Sequence, residues 1–370
     1  MNRLVYKAHK WVGATLVLWL ALQAATGFLL TFRHGLERTL QPGLVLAAGG
    51  PALPPGALAA RLAETFPDAA LTRLRLPRAE DEVAFATLKG PEGEFFAALE
   101  PATGAVRRAG GLAAFPFEAV FALHHDLLMG EAGKTVVGLL GAVYLLVLVP
   151  AGLYLWWPPT RRAWRRAFKV RTKAGFRAGL GDAHKVTGAV AALLMLASAA
   201  TGVGLAFSGP VGRALSLVLP YEAGAPALPA DAAGADVGID AAVSQALAAL
   251  PPGRVKEVRP RGGRLLHVLV WPEEPARARA VHHAWVDRAG GTVLGTRLAG
   301  LEPAANRAVA WFLPLHTGEA AGLPGRLAVA AAGLALFGIS ISGGTIWYMG
   351  WRNRARNRAR TRAAVVRDAA

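Results

Sequence analysis

Four stretches of about 22 residues, 11–32, 136–157, 186–207 and 327–348, are almost free of charge. Each exceeds the roughly 20 residues that a helix needs to cross a bilayer core of about 30 Å. The rest of the composition agrees: 54% of residues are hydrophobic, only 18% are charged, and the mean hydropathy is +0.35. Such a chain cannot be a disordered protein, a small disulfide scaffold or a cytosolic enzyme. It reads as a polytopic membrane protein. Arg3, Lys7 and Lys10 precede the first run as they would precede a signal peptide. That run is longer than a signal core, however, and a copy of it recurs in mid-chain, so it is expected to stay as a membrane helix. There is no cysteine. Disulfides, thiolate zinc sites, cysteine-ligated iron–sulfur clusters and covalently attached c-type haem are therefore excluded.

The positive charge is confined to short segments. Residues 1–10 carry +3, 158–184 carry +7 and 351–370 carry +6, out of a net +17 for the whole chain. The positive-inside rule then predicts both termini in the cytoplasm and two large loops outside. Trp11, Trp156, Trp157, Trp347 and Trp351 stand at the inner ends of the spans, as interfacial anchors do. This placement accounts for the basic excess without a nucleic-acid partner.

The chain also repeats itself. Shifted by 175 residues, the first span falls on the third: His9-Lys10 meets His184-Lys185, Gly13 meets Gly188, and Ala24-Ala25-Thr26-Gly27 meets Ala199-Ala200-Thr201-Gly202. Shifted by 192, the second falls on the fourth: Leu123-His124 meets Leu315-His316, Gly133-Lys134 meets Gly325-Arg326, and Gly152 meets Gly344. The long loops match as well. Residues 57–66 read as a helix followed by strands near 71–76, 82–88 and 95–99 and a turn leading to Val106. Residues 239–250 read as a second helix, with strands near 255–259, 265–271 and 281–286 and a turn leading to Val293. Apolar–polar alternation between Gly-containing turns predicts a small α+β domain in each loop, one sheet side facing solvent. Two units in one orientation imply a pseudo-two-fold axis along the membrane normal.

The expected map is therefore a cytoplasmic N-terminus (1–10), a first span (11–33) and an external loop (34–134) with a small domain at about 57–107. A second span (135–157), a basic cytoplasmic loop (158–184) and a third span (185–207) follow. The chain ends with an external loop (208–324) holding a domain at about 239–297, a fourth span (325–349) and a basic tail (350–370).

Four of the nine histidines fall in equivalent positions: His9 with His184 at the inner ends of spans one and three, His124 with His316 at the outer ends of spans two and four. The axis relating the repeats would bring each pair face to face, and two facing imidazoles can be axial ligands of one haem iron. His9, Gly13 and Gly27 share a helix face at 3.6 residues per turn, and small residues there let a flat macrocycle or a helix approach. Lys10, Lys185, Lys134 and Arg326 could pair with haem propionates, or could equally be snorkelling interfacial cations. His34 could touch the outer haem, bind substrate iron or sit at the interface, and its repeat partner is Gly209. His125, opposite Thr317, is less favoured than His124. His267, His282 and His283 read as surface histidines of the second loop domain.

These residues carry a resemblance. His9-Lys10-x-x-Gly13, Ala25-Thr26-Gly27, Leu123-His124 through Gly130-Glu131-x-Gly133, Leu315-His316-Thr317-Gly318-Glu319 and Gly152-Leu-Tyr-Leu-Trp156 make the chain similar to PepSY-associated transmembrane proteins. That group includes inner-membrane ferric-siderophore reductases and other iron-regulated membrane proteins. The resemblance implies four membrane helices with PepSY-like periplasmic domains, two haem b groups on His9, His184, His124 and His316, and electron transfer outward across a bacterial inner membrane. The implied acceptor is a ferric siderophore. No fused flavoprotein domain is expected, so the implied donor is a separate cytosolic reductase or a membrane quinol. Two other readings stay open: a cytochrome b subunit serving another periplasmic reductase, and a haem-free regulator whose PepSY-like domains bind a peptide or peptidase.

Overall fold

The computed structural model describes residues 2–46, 50–229 and 234–368. In chain order its helices and strands are α1 (Arg3–Thr31), α2 (Arg33–Leu40), α3 (Pro55–Thr65), β1 (Ala70–Arg75), β2 (Ala84–Gly90), β3 (Gly93–Leu99) and β4 (Val106–Gly110). Next come α4 (Pro116–Asp126), α5 (Gly130–Val143), a π-helical turn (Tyr144–Leu148), α6 (Val149–Trp156), α7 (Arg161–Ala167), α8 (Phe176–Ala206) and α9 (Ser208–Leu215). The chain continues through α10 (Gly238–Ala248), β5 (Gly253–Arg261), β6 (Leu265–Pro272), β7 (His282–Asp287), β8 (Thr292–Arg297), α11 (Ala304–Ala310), α12 (Phe312–His316) and α13 (Gly322–Asp368).

Among the described residues four helical segments are long and apolar enough to span a membrane: Arg3–Thr31, Gly130–Trp156, Phe176–Ala206 and Glu319–Thr361. They belong to one compact unit made of Met1–Thr31, Phe121–Ser208 and Phe312–Ala370. Within it α1 packs on α13 and α6, while α8 packs on α13, α5 and α6, so α1 and α8 lie across the bundle from each other. Leu16, Leu20, Tyr144, Leu148, Val149, Ala191 and Met195 form the buried centre. The bundle's outside is apolar, with Leu18, Leu146, Val190 and Leu193 exposed, which suits lipid rather than water.

The π turn interrupts the second span, whereas α13 is α-helical throughout. A π turn accommodates one extra residue in a helix. Its effect is visible on either side. Before it, Gly133 presses on the Asp126 carbonyl and Gly325 on the Gly318 carbonyl, positions 192 apart. After it, Gly152 lies against His9 while Gly343 lies against His184, positions 191 apart. The sequence pairing of Gly152 with Gly344 is thus one residue out of register; Gly343 occupies the corresponding place.

A second unit contains Phe32–Val120 and Gly209–Trp311. Here the structure departs from the expectation of two small loop domains. The eight strands form one antiparallel sheet in the order β4-β3-β2-β1-β5-β6-β7-β8. The join is β1 against β5, with Leu74 opposite Val258 and Arg75 opposite Glu257. Each four-stranded half would otherwise leave its first strand as an exposed edge, and pairing the two satisfies both rows of backbone groups. Helices α3 and α10 cover one face. Leu58 and Leu62 from α3, and Ala242, Val243 and Ala246 from α10, pack on Leu74, Leu88, Leu99, Val258, Leu266, Val268 and Val286 in a single core. The Asp240 carboxylate accepts the Gly56 amide at 2.6 Å, tying the two helices together.

A Cβ on Gly133 would lie 1.7 Å from the Asp126 carbonyl oxygen, and one on Gly325 would lie 2.1 Å from that of Gly318. Gly133→Ala and Gly325→Ala are each expected to cost more than about 3 kcal/mol, at or above the usual overpacking range. Thermal unfolding in detergent checks this against Gly35→Ala, whose Cβ meets nothing within 4 Å.

Candidate functional site: two facing histidine pairs

His9 projects from α1 and His184 from α8, with ring centroids 6.3 Å apart and planes at 77°. The Nδ1 of His9 lies 3.1 Å from the Leu148 carbonyl, an acceptor, so Nδ1 carries the proton. His184 repeats the arrangement: its Nδ1 is 3.1 Å from the Ile339 carbonyl and 3.0 Å from Ser342 Oγ. Gly152 and Gly343 make these approaches possible, because a Cβ there would stand 2.9 Å from His9 Cε1 and 3.0 Å from His184 Cε1.

His124 and His316 form the second pair, with centroids again 6.3 Å apart and planes at 47°. Their Nδ1 atoms lie 2.9 Å from Thr26 Oγ1 and 3.1 Å from Thr201 Oγ1. Each threonine hydroxyl spends its own hydrogen on its helix, Thr26 on the Leu22 carbonyl and Thr201 on the Ala197 carbonyl, both at 2.7 Å. Its lone pair therefore accepts from the histidine. His316 Nδ1 also reaches the Ser198 carbonyl at 3.0 Å. Gly27 and Gly202 cradle these rings, with a Cβ at 3.1 Å and 3.0 Å from Cε1 of His124 and His316. Beyond His124, α4 ends in two left-handed leucines, Leu127 (φ 55°) and Leu128 (φ 63°), a strained turn into α5 that fixes where the histidine sits.

All four imidazoles thus have Nδ1 anchored as a donor, which leaves Nε2 unprotonated and able to bind a metal. The centroid separation of 6.3 Å is compatible with a metal ion between the two rings of each pair. Each pair could supply at most two ligands, and among the described residues no group of three or more His, Asp or Glu could hold a metal ion. A metal held here must draw its remaining ligands from a bound molecule such as a planar macrocycle.

A cavity of 390 Å³ surrounds the first pair, within the roughly 300–1,000 Å³ of small-molecule and cofactor sites. Tyr144 and Trp347 line it, and their buried Oη and Nε1 have no hydrogen-bond partner among the described residues. Buried donors left unpaired cost about 1–3 kcal/mol each, so acceptors are expected on an occupant. Gly13 and Gly188 line the same cavity; a Cβ on Gly13 would meet Leu148 at 3.5 Å, and one on Gly188 would meet nothing within 4 Å.

The basic residues named from the sequence are partly engaged elsewhere. Lys185 Nζ pairs with Asp182 at 3.0 Å and Lys134 Nζ with Glu131 at 3.3 Å. Lys10 Nζ lies 5.0 Å over the Trp11 ring, and Arg326 Nη2 donates to the Thr31 carbonyl at 2.7 Å. His125 stacks on Phe121 and reaches Asp126 at 3.1 Å, outside the facing pair. His34 lies on α2 in the sheet unit, where burial pushes it below the usual histidine range against the pull of Glu37 and Glu82.

The loop histidines correct the surface expectation: His267 is 8% exposed and His282 6%. His267 Nε2 and His283 Nδ1 share a hydrogen bond of 2.9 Å, and both rings stack with Trp285. Burial first, then His283, Arg259, Arg261 and Arg297, lowers His267 to about 3. Burial first, then Arg297, Arg259 and Lys256, lowers His283 to about 4 against Glu302. Both are neutral in the fold but take up protons near pH 6.5 when unfolded. Their contribution to stability is therefore complete above pH 6.5 and lost as the pH falls toward 4. At pH 5 each imidazole is expected to cost the sheet unit about 2 kcal/mol, on the order of 4 kcal/mol for the pair. Hydrogen-exchange protection of β6 and β7 at pH 7 and pH 5 checks this, and His267→Gln should flatten the difference.

Sequence reading had marked Thr26-Gly27 and Thr201-Gly202 as repeated, without their role as acceptor and cradle; Gly343, Ser342, Tyr144 and the His267–His283–Trp285 stack went unseen. The signal for the first two was the motif itself, repeated on the histidine-bearing spans. Ser342 and Gly343 carried no such signal, because the extra residue of the π turn hides their register.

The fold and site define a class: a polytopic membrane protein with a four-span helical unit, an antiparallel sheet unit, and paired histidines within the helices. The chain matches the PepSY-associated TM region over residues 6–349 and belongs to that family. No curated protein matches the sequence closely enough to count as a relative.

Proposed function

We propose that the protein is a di-haem b membrane oxidoreductase that carries electrons outward across a bacterial inner membrane to a ferric chelate, a siderophore being the substrate. The observation behind this reading is the matched geometry of the two pairs: four imidazoles, each anchored through Nδ1, in two facings of 6.3 Å. His9 and His184 would hold the inner haem, His124 and His316 the outer one. The haem iron, when bound, supplies one-electron chemistry.

The chain's own residues do the rest. Leu148, Ile339, Thr26 and Thr201 fix the imidazole orientation and raise its basicity by accepting the Nδ1 proton. The glycines let the rings seat against neighbouring helices. Tyr144 and Trp347 offer donors to acceptors on the inner group. The cavity lining also includes Lys10, Lys185, Arg177 and Arg354, whose positive charge suits propionates. The concentration of charge in 1–10, 158–184 and 351–370 supports cytoplasmic termini and a periplasmic sheet unit. The parallel contacts on spans one and three, and on two and four, support a duplicated half. The electron donor on the inner side is a quinol or a separate reductase.

A reduced-minus-oxidised spectrum of detergent-purified protein, with haem and protein quantified together, is the test. About two b-type haems per chain are expected, one per bis-histidine pair. No haem in folded protein expressed with ample haem supply would overturn the reading in favour of a PepSY-type binding protein.

A further inference from the structure

The last span continues as a helix past the membrane. Unbroken from Gly322 to Asp368, α13 is 47 residues long, of which about 20 suffice to cross a bilayer. Beyond the interfacial Trp351 it carries Arg352, Arg354, Arg356, Arg358 and Arg360, every one exposed. The one acid in the helix is its last residue, Asp368. None of these arginines has an ion pair among the described residues. At 3.6 residues per turn Arg352, Arg356 and Arg360 share one side, and Arg354 and Arg358 another. Like charges therefore stack at four-residue spacing, which weakens a helix, and an anionic surface laid against it relieves the repulsion.

Two features say which anionic surface fits. An unbroken helix keeps the direction of its span, so each residue after Trp351 lies about 1.5 Å farther along it, away from the bilayer. Arg358 and Arg360 then stand roughly 10–14 Å out, past the Debye length of about 8 Å, where headgroup charge is screened. The arginines of α7 make the contrast. Trp156 meets Trp164 at 5.5 Å and Phe168 at 5.2 Å, which pins α7 to the inner end of the second span. Arg161, Arg162, Arg165 and Arg166 therefore sit at headgroup depth, where lipid answers their charge. The second feature is continuity with the cavity around His9 and His184. Arg354 and Arg177 both line it, and their guanidiniums lie 3.4 Å and 3.6 Å from where a Cβ on Gly350 would stand. Arg358 follows Arg354 one turn farther out on the same side. A body held by α13 is thereby held beside the inner histidine pair.

We propose that the arginine-bearing end of α13 is the docking surface for a soluble acidic protein that carries one electron, the donor to the inner centre. The donor role rests on the proposed function and deepens it, choosing a separate carrier over a membrane quinol. In each encounter the carrier is oxidised by one electron and the inner centre reduced by one; no atom changes hands. Opposite charge steers the approach, so association is fast at low ionic strength and slows as salt rises.

In the test, full-length protein in phosphatidylcholine nanodiscs is titrated by calorimetry with an acidic flavodoxin, an acidic [2Fe–2S] ferredoxin and, as the opposite charge, a basic cytochrome c. At least one acidic carrier is expected to bind, its affinity falling about tenfold or more between about 50 and 300 mM salt. Arg356→Gln, Arg358→Gln and Arg360→Gln combined should weaken it about tenfold. Arg356→Lys, Arg358→Lys and Arg360→Lys combined should keep most of the affinity, and Arg61→Gln in the sheet unit all of it. The glutamine variant should also slow haem reduction by the reduced carrier about tenfold, with reduction by dithionite unchanged. Equal rates overturn the donor role. Failure of both acidic carriers to bind overturns the proposal, as does binding that survives the glutamine variant with unchanged melting, or cytochrome c binding equally well. If neither carrier binds and the glutamine variant instead loses affinity for phosphatidylglycerol vesicles, the helix is a lipid anchor. Docking is read without haem, so haem-free protein would defeat the proposed function and leave the docking surface to its own result. Two haems without carrier binding would leave the proposed function in place and return the donor to a quinol.

Discussion

For the di-haem protein proposed above, replacing His184 with alanine is expected to halve the haem content, from about two groups per chain to one, with the remaining spectrum still that of a bis-histidine b centre. The reason is the independence of the two sites. His184 faces only His9, at 6.3 Å, and its Nδ1 partners Ile339 and Ser342 belong to α13 near that pair. The second pair draws on other residues, Thr26, Thr201, Gly27 and Gly202. His316→Ala should do the converse. Loss of both haems, or of neither, from protein that still elutes as a single species with native helix content would overturn the pairing. Added imidazole can occupy the space left by the side chain, so it should restore the inner centre in His184→Ala and the outer centre in His316→Ala.

The second large effect is steric. Gly152→Val should abolish the inner haem while leaving the outer one in place. A Cβ at residue 152 would already sit 2.9 Å from His9 Cε1, and the branched methyl groups of valine extend further. The ring cannot retreat without breaking its bond to the Leu148 carbonyl, so ligation and anchoring fail together. Gly343→Val should do the same through His184. Gly344→Ala should be nearly silent toward haem, because its Cβ would meet Val17 Cγ2 at 3.1 Å rather than a histidine. Gly188→Ala, facing open space beside the same cavity, should also retain both haems. The contrast between neighbours 343 and 344 isolates the register set by the π turn. Equal haem content in the two would mean that the glycine cradle is irrelevant to the site.

Local pattern and nonlocal pairing divided the problem between them. Spans were legible because a bilayer imposes its requirement on each helix separately: every backbone group must be satisfied within about 20 apolar residues, wherever the rest of the chain goes. Helices α3 and α10 and most strand positions were legible for the same reason, through alternation and turn residues. The histidine pairs could be nominated from their recurrence at fixed offsets, although the structure puts only His9 and His184 on spans and places His124 and His316 on the preceding helices α4 and α12.

What the sequence determined by itself was thus the membrane class, the order of the four spans with a helix-and-strand segment in each long loop, and the identity of four candidate ligands. The tertiary structure decided which groups meet. It joined the two loop domains into one sheet through β1 and β5, a backbone pairing that no side-chain pattern encodes. It placed the extra residue of the second span in a π turn, moving the contact from Gly344 to Gly343. It buried His267 and His282. These outcomes depend on contacts between residues far apart in the chain. Periodicity reports which face of an element is apolar, but only packing decides which partner that face receives.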